Sequence, residues 1–322
     1  MTPDRLQQLK TQDVEVAELT PEQLTEFLAG LPEGESDRVY RSEQLEQLRK
    51  LAENSGTEQR FLTRFGIADS PEQIQAAKQI LQGENTYRKL LRITEMNHDI
   101  VPDAAAELAV NSEDAAGAMG NRETLSRFSE QLQGKAAEVM EALYAAAELN
   151  AEQAGDLREL LAVQNLKQQL LRKEFYDIPV ADENGITGIR LTVIRGSGEE
   201  GKFRILLKQR TERADILDET AVRIDGSYRQ GKLELWMASR DKAVHERLKK
   251  ESPSLQNRLE GAGIVCGGIF TTVAKPGAET LLPPVTEEGA EKQESVNTSV
   301  LYTAAKEIVL HIRRIYNEET EA

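Results

Sequence analysis

Residues 173–196, KEFYDIPVADENGITGIRLTVIRG, mark the point at which the character of the sequence changes. Before this stretch, apolar residues recur mainly at helical spacing. Within it they alternate with polar residues, β-branched side chains become frequent, and ADENG supplies turn-forming residues. An alternation with a period of two is typical of a strand with one buried face. The stretch therefore predicts a helical amino-terminal half followed by a sheet.

The helical half carries repeated start signals. TPEQL at 20–24 and SPEQI at 70–74 each place a hydroxyl residue at the N-cap, proline at the first helical position and glutamine at the capping-box position, and SEQL at 42–45 is similar without the proline. The unequal intervals between these sites indicate irregular helical hairpins and not a solenoid. Later helices are predicted around Leu125, over the Ala-rich segment 135–149 and around Leu157–Leu171.

The second half reads as a succession of short strands. YDIPV, ITGIRLTVIRG, KFRILLKQR, AVRIDGSY and KLELWMAS are separated by short turn-rich segments, which predicts an antiparallel meander. GIVCGGIFTTV at 263–273 supplies a last strand, and the glycines within 261–268 are expected to end the preceding helix through a left-handed residue. Alternation assigns one face of the sheet to apolar side chains and the other to water. The residues expected to face water are Arg190, Arg204 and Lys208.

Two helices complete the predicted architecture. One begins near Asp241, should kink or restart at Ser252–Pro253, and packs on the apolar face of the sheet. The other has an apolar stripe that docks either on its own chain or on a partner, and the sequence leaves this open. The fold class is thus α+β, with a helical domain at 1–172, an α+β domain at 173–274, a linker at 275–297 and an amphipathic helix at 298–322.

Composition excludes several classes of function. The chain has 322 residues and a formal net charge of −15, so binding to nucleic acid or to an anionic membrane surface is disfavoured and a protein partner is favoured. No segment approaches the roughly 20 apolar residues needed to span a bilayer. With no run of signal-peptide length, we expect the chain to be made in the cytoplasm.

The sequence contains no motif that indicates a catalytic, cofactor-binding or metal-binding site. His98, His245 and His311 are far apart and fit no metal-binding spacing, so we expect each to face solvent or to be locally hydrogen-bonded. GAGIVCGG at 261–268 precedes a strand, whereas a dinucleotide loop must follow one. Cys266 reads as a small buried apolar residue. We therefore expect no enzyme activity, no catalytic residue, no cofactor and no metal.

Trp236 is the ambiguous aromatic residue. It alternates with Leu235 and Met237, so it lies on the opposite face of its strand. Core packing is the favoured interpretation. The alternative is that an exposed tryptophan anchors a partner.

The stretch GKLELWMASRDKAVHERLKKESPSLQNRLEGAGI at 231–264 resembles the carboxy-terminal domain of the bacterial flagellar hook-length control protein. That family has an alternating strand, a helix with a leucine, a proline-leucine run and a glycine before the last strand. The matching residues here are Leu233, Leu235, Leu248, Pro253, Leu255, Leu259, Gly263 and Ile264. The earlier stretch from Leu171 to Gly196 is similar to a clostridial group of hook-length-control-like proteins.

The resemblance implies a non-enzymatic role in controlling hook length and in switching the specificity of flagellar export. It implies the export gate and hook components as partners, and export through the flagellar apparatus without a cleaved signal peptide. Partner contacts are predicted for Trp236 and the matching strand and helix positions, although the leucines also suit a core between helix and sheet: Leu233, Leu235, Trp236, Pro253, Leu255 and Leu259.

This chain departs from that family in its amino-terminal half. The family's half is often long, poorly ordered and rich in proline and glutamine, whereas this one is predicted to be helical and compact. The resemblance therefore supports the switching role better than a ruler role. The alternative is a cytoplasmic helical adaptor or chaperone that shares only the α+β architecture.

Overall fold

The computed structural model describes residues 56–101, 108, 110–145, 149–182, 185–195, 200–210, 218–274 and 299–320. The predicted helix starts at Thr20 and Ser42 and the predicted linker at 275–297 lie outside these residues. Within the described ranges, six helices precede the sheet: α1 (Thr57–Arg64), α2 (Pro71–Leu81), α3 (Thr86–Met96), α4 (Ser112–Ala118), α5 (Arg122–Ala145) and α6 (Ala151–Leu171).

The helices begin at the signals that the sequence carries. Ser70 Oγ accepts a hydrogen bond from the backbone N–H of Gln73 at 3.3 Å, and Pro71 is the first residue of α2. At the start of α6, Asn150 and Gln153 satisfy each other's backbone N–H groups in a capping box. The segments predicted around Leu125 and over 135–149 belong to one helix, α5, which ends at Ala145.

The second half forms a six-stranded sheet in the order β1 to β6. The strands are β1 (Phe175–Pro179), β2 (Ile186–Arg195), β3 (Gly201–Arg210), β4 (Asp218–Arg229), β5 (Lys232–Ser239) and β6 (Cys266–Val273). The first five are paired antiparallel, which confirms the predicted meander. The last strand pairs parallel to β5, because α7 (Lys242–Gly261) carries the chain back along the sheet between them.

The apolar face of the sheet packs against α7 and against the carboxy-terminal helix α8 (Ser299–Thr320). Leucines of α7 at 248, 255 and 259 are buried there, as predicted. The apolar stripe of α8 is buried against the same core, so this helix docks on its own chain. Its buried residues include Leu301, Ala304, Ala305, Ile308, Ile312 and Ile315.

α7 continues through Pro253, so the restart predicted at Ser252–Pro253 does not occur. Pro253 is exposed, and the carbonyl that its missing N–H leaves without a partner lies on the side of the helix that water can reach. Ser252 Oγ donates a hydrogen bond to the Leu248 carbonyl at 2.7 Å. Gly263, at φ +81°, follows the helix in the left-handed conformation that was predicted for the glycines of 261–268 as a group.

The prediction that Arg190, Arg204 and Lys208 face water is wrong. Their exposed fractions are 2%, 2% and 6%. At the β1–β2 end, helices of the amino-terminal half cover the second face, and Arg190 Nη2 donates a hydrogen bond to the Ile80 carbonyl of α2 at 3.2 Å. The guanidinium carbon of Arg190 also lies 5.1 Å from the centre of the Phe175 ring.

The helical half and the sheet share a core. Met119, Leu125 and Leu171 belong to the same buried cluster as the apolar face of the sheet. Phe61 and Phe65 of the first helical turns pack edge-to-face on Phe175 of β1, with ring centres 5.8 and 5.6 Å away. The described helices therefore contact both faces of the sheet.

Candidate partner-binding surface

Two exposed aromatic side chains stack on the second face of the sheet, at the β6 edge. The ring centres of Trp236 and Phe270 lie 5.7 Å apart with an interplanar angle of 21°. Their exposed fractions are 42% and 52%, so most of the outer side of the pair is open to solvent. Core packing of Trp236, the favoured interpretation of the sequence, is therefore wrong.

Strand geometry explains why these two side chains meet. Trp236 alternates with the buried Leu235 and Met237, and the parallel register places Phe270 directly beside it. A Cβ at Gly268 would lie 3.1 Å from Cζ of Phe270, so the absence of a side chain there gives the ring its place over the strand.

The aromatic pair lies at an open edge. Strand β6 ends the sheet order, and among the described residues no further strand pairs with its outer side. An edge strand presents backbone N–H and C=O groups to which another segment can add. We call Trp236, Phe270 and the outer edge of β6 the edge surface.

A charged group adjoins the edge surface on the same face. Asp225 pairs in register with Trp236. Its two carboxylate oxygens accept hydrogen bonds from Nε of Arg204 at 2.6 Å and from Nε of Arg223 at 2.7 Å. A partner bound here would meet apolar rings next to fixed charges, the combination found at the centre and rim of protein interfaces.

The structure separates the residues for which partner contacts were predicted. Leu233, Leu235, Leu255 and Leu259 have an exposed fraction of 0%, which corresponds to the core alternative that the sequence left open. The exposed members of the set are therefore distributed over two places. Trp236 lies on the second face of the sheet, whereas Pro253 lies on α7, which packs on the first face.

Phe270 is the part of the edge surface that sequence reasoning missed. The alternation in GIVCGGIFTTV places Phe270 and Ile269 on opposite faces, and this was the available signal. The pairing of Phe270 with Trp236 depends on the register between β5 and β6, which residue spacing does not reveal.

The three histidines and Cys266 do not come together in one site. His98 is exposed, and the side chain of His245 lies 3.8 Å from Glu246. His311 is buried at 2% exposure, so of the two expected environments it does not have the solvent-facing one, and it hydrogen-bonds the backbone of Glu251; burial lowers its pKa to about 4. Cys266 is partly exposed and not buried as expected, and desolvation raises the pKa of its thiol.

Within the described ranges, no group of three or more His, Cys, Asp and Glu side chains is arranged to hold a metal ion. In the same part of the chain, no helix has the length and apolar character needed to cross a membrane.

Comparison with known proteins gives no relative. No protein-family model, curated protein or solved structure matches this chain.

Proposed function

We propose that this protein controls hook length and switches the substrate specificity of export during flagellar assembly, as a non-enzymatic protein acting through protein-protein contacts. Its proposed partners are components of the export gate and of the hook. It would be made in the cytoplasm and exported through the flagellar apparatus without a cleaved signal peptide.

One observation carries this proposal. The stretch that resembles the hook-length control family, residues 231–264, coincides with a single folded unit in which β5, α7 and the approach to β6 pack together. The leucines of the resembling pattern and Ile264 form the interior of that unit. The pattern thus corresponds to a coherent core, as expected if the resemblance reflects a shared fold.

The edge surface supports action through contacts. Trp236 and Phe270 provide exposed rings at an open strand edge, and aromatic side chains contribute strongly to binding energy at protein interfaces. We propose that this surface contacts the export gate, and that Leu233, Leu235, Leu255 and Leu259 act indirectly by holding the strand and helix in place.

The shared core bears on the role of the helical half. Met119, Leu125 and Leu171 pack with the sheet. The helical half is therefore attached to the α+β domain, which is the part proposed to act in switching. Measurement by a helical half that travels ahead of the sheet would require breaking this core. The switching role is accordingly proposed ahead of the ruler role.

Hook length tests the proposal directly. In cells of the source organism that lack this gene, we expect long, uncontrolled hooks without filaments when hooks are examined by electron microscopy. Hooks of normal length with filaments attached would overturn the proposal. Complementation with Trp236→Ala/Phe270→Ala should then leave hooks long. Tyr144→Ala, at an exposed aromatic residue on α5, is the matched control and should restore normal hooks.

The shared core also favours a second candidate, a helical adaptor or chaperone that stays in the cytoplasm. The two candidates differ in export. Detection of the intact chain in the culture supernatant of motile cells, lost when flagellar export is blocked, supports hook-length control. Retention in the cell, with normal hooks in the deletion strain, supports the adaptor.

A further inference from the structure

A small cavity lies where α3, α5 and α6 meet β1. Its volume is about 50 Å³. Since one water needs roughly 10 to 15 Å³ measured in this way, the cavity has room for about four water-sized groups. Most of its lining is apolar, with side chains that include Leu90, Leu108, Leu132, Met140, Leu160 and Ile178.

Among the residues that the structure describes, two hydroxyl groups in the lining have no hydrogen-bond partner. Ser129 has an exposed fraction of 5%, and its Oγ is buried without a partner, as is the hydroxyl oxygen of Tyr87. Burial raises the pKa of Tyr87, so its hydroxyl keeps its proton and remains a donor. A buried polar group without a partner destabilises the fold, so both hydroxyls require an acceptor within the cavity, which water or a bound ligand would supply.

Lys167 brings a positive charge to the same cavity. Its Nζ hydrogen-bonds Thr86 Oγ1 at 2.9 Å and lies 2.9 Å from Asp177 Oδ2. An ammonium group has three donors, so one is left after these two contacts.

The charges around Lys167 do not balance. Asp177 is contacted by Lys167, by Lys208 Nζ at 2.6 Å and by Arg190 Nε at 3.2 Å, so three cations surround one carboxylate. Arg190 Nη1 is also buried, and no described residue forms a hydrogen bond with it. An excess of buried positive charge is costly unless an anion or a lost proton offsets it.

We propose that this cavity binds a small carboxylate, of the size of formate or acetate, with its oxygens on Lys167, Ser129 and Tyr87 and its carbon atoms against the leucines. The ligand would supply the missing acceptor and reduce the excess positive charge. Asp177 also lines the cavity, but both of its oxygens are engaged by cations, which limits its repulsion of an anion. The inference is independent of any role in flagellar assembly.

Thermal unfolding of the full chain tests this inference. Sodium acetate should raise the melting temperature in a saturable manner, and sodium chloride of equal ionic strength should not, because a ligand that binds only the native state stabilises it. Butyrate should have a smaller effect than acetate, since the cavity admits few non-hydrogen atoms.

Two variants locate the effect. Ser129→Ala removes one donor and should weaken the response to acetate about tenfold. Lys167→Met should abolish it. Lys249→Met, at an exposed lysine on α7, is the matched control and should respond like the wild type. If Lys167→Met does not fold, Ser129→Ala decides the question.

Three results would overturn the inference. The first is an equal rise of the melting temperature with acetate and with chloride, which would show that the cavity holds only water. The second is an unchanged response in Ser129→Ala, which would place acetate binding elsewhere. The third is a loss of the response in the Lys249→Met control.

Discussion

The hydroxyl oxygens of Tyr176 and Tyr302 lie 3.0 Å apart and share a hydrogen bond between β1 and α8. Both rings are buried, and their centres are 6.2 Å apart in an edge-to-face arrangement. Ser126 Oγ of α5 lies 3.2 Å from the Tyr176 hydroxyl. The Tyr176 hydroxyl, through these two contacts, therefore joins the helical half, the first strand and the carboxy-terminal helix.

The tyrosine pair predicts unequal effects of losing either hydroxyl. Tyr176→Phe leaves the Tyr302 hydroxyl buried without its partner, and we expect it to lower the free energy of unfolding by about 1–3 kcal/mol. Tyr302→Phe leaves Tyr176 its contact with Ser126 and should cost about 1 kcal/mol. Urea denaturation of both single variants and of the double variant measures the coupling. Additive effects would show that the hydroxyls do not interact.

The core role of Leu255 predicts a loss of stability. Its exposed fraction is 0%, so Leu255→Ala should lower the free energy of unfolding by about 2–5 kcal/mol through lost contacts and a cavity. Asn257→Ala, at an exposed position of α7, is the control and should change it by less than about 0.5 kcal/mol. A switching defect in Leu255→Ala with normal stability would contradict the core role and favour direct partner contact.

The lowered pKa of Lys208 predicts that the protein gains stability in alkaline solution. Burial, together with the nearby Arg190, lowers its pKa to about 8, against opposing contributions from Asp177. Between pH 8 and about 10.5 the unfolded chain binds a proton at this lysine that the folded chain does not, so the free energy of unfolding should rise with pH. The change is on the order of 3 kcal/mol.

Denaturation measured at several pH values between 7 and 10.5 checks the Lys208 prediction. Lys208→Met removes the group and should flatten this part of the curve. Lys250→Met changes an exposed lysine of α7 and should leave the slope as in the wild type. A slope that persists in Lys208→Met would assign the effect to another group.

The lowered pKa of His311 predicts that the protein loses stability in acidic solution. Burial and the nearby Arg314 lower its pKa to about 4, and Glu251 opposes the shift. Between pH 6.5 and 4 the unfolded chain takes up a proton at His311 while the folded chain does not, so stability should fall as the solution is acidified. The stability of the His311→Gln variant should fall less steeply over this range. Replacing the exposed His98 by Gln should leave the pH dependence of stability unchanged.

The position of His311 also explains where sequence reasoning failed. Its immediate neighbours along the chain are mixed, but His311 lies three residues after Ile308 and four before Ile315, so the apolar stripe of α8 was an available signal for its burial. Its burial at 2% follows from the docking of α8 against α7, which brings Glu251 to the ring, whereas Arg314 lies one turn further along α8 itself. Only the contact between two distant helices decides this environment.

The charged residues of β2 and β3 show the same limit. Alternation correctly placed Arg190 and Lys208 opposite the apolar face, but it does not report whether helices cover that second face. Part of that cover comes from distant segments, as the hydrogen bond from Arg190 to Ile80 illustrates with a separation of 110 residues. The cavity and its excess positive charge were likewise beyond sequence reasoning.

The sequence by itself determined the order of the elements, because local signals act within a few residues. Ser70 and Pro71 start a helix, alternation defines the strands, and Gly263 ends α7 in a conformation that favours glycine. Tertiary structure alone decided which faces are covered. It buried Arg190 and His311, left Trp236 and Phe270 exposed, and docked α8 on its own chain, since burial depends on contacts between segments far apart in sequence.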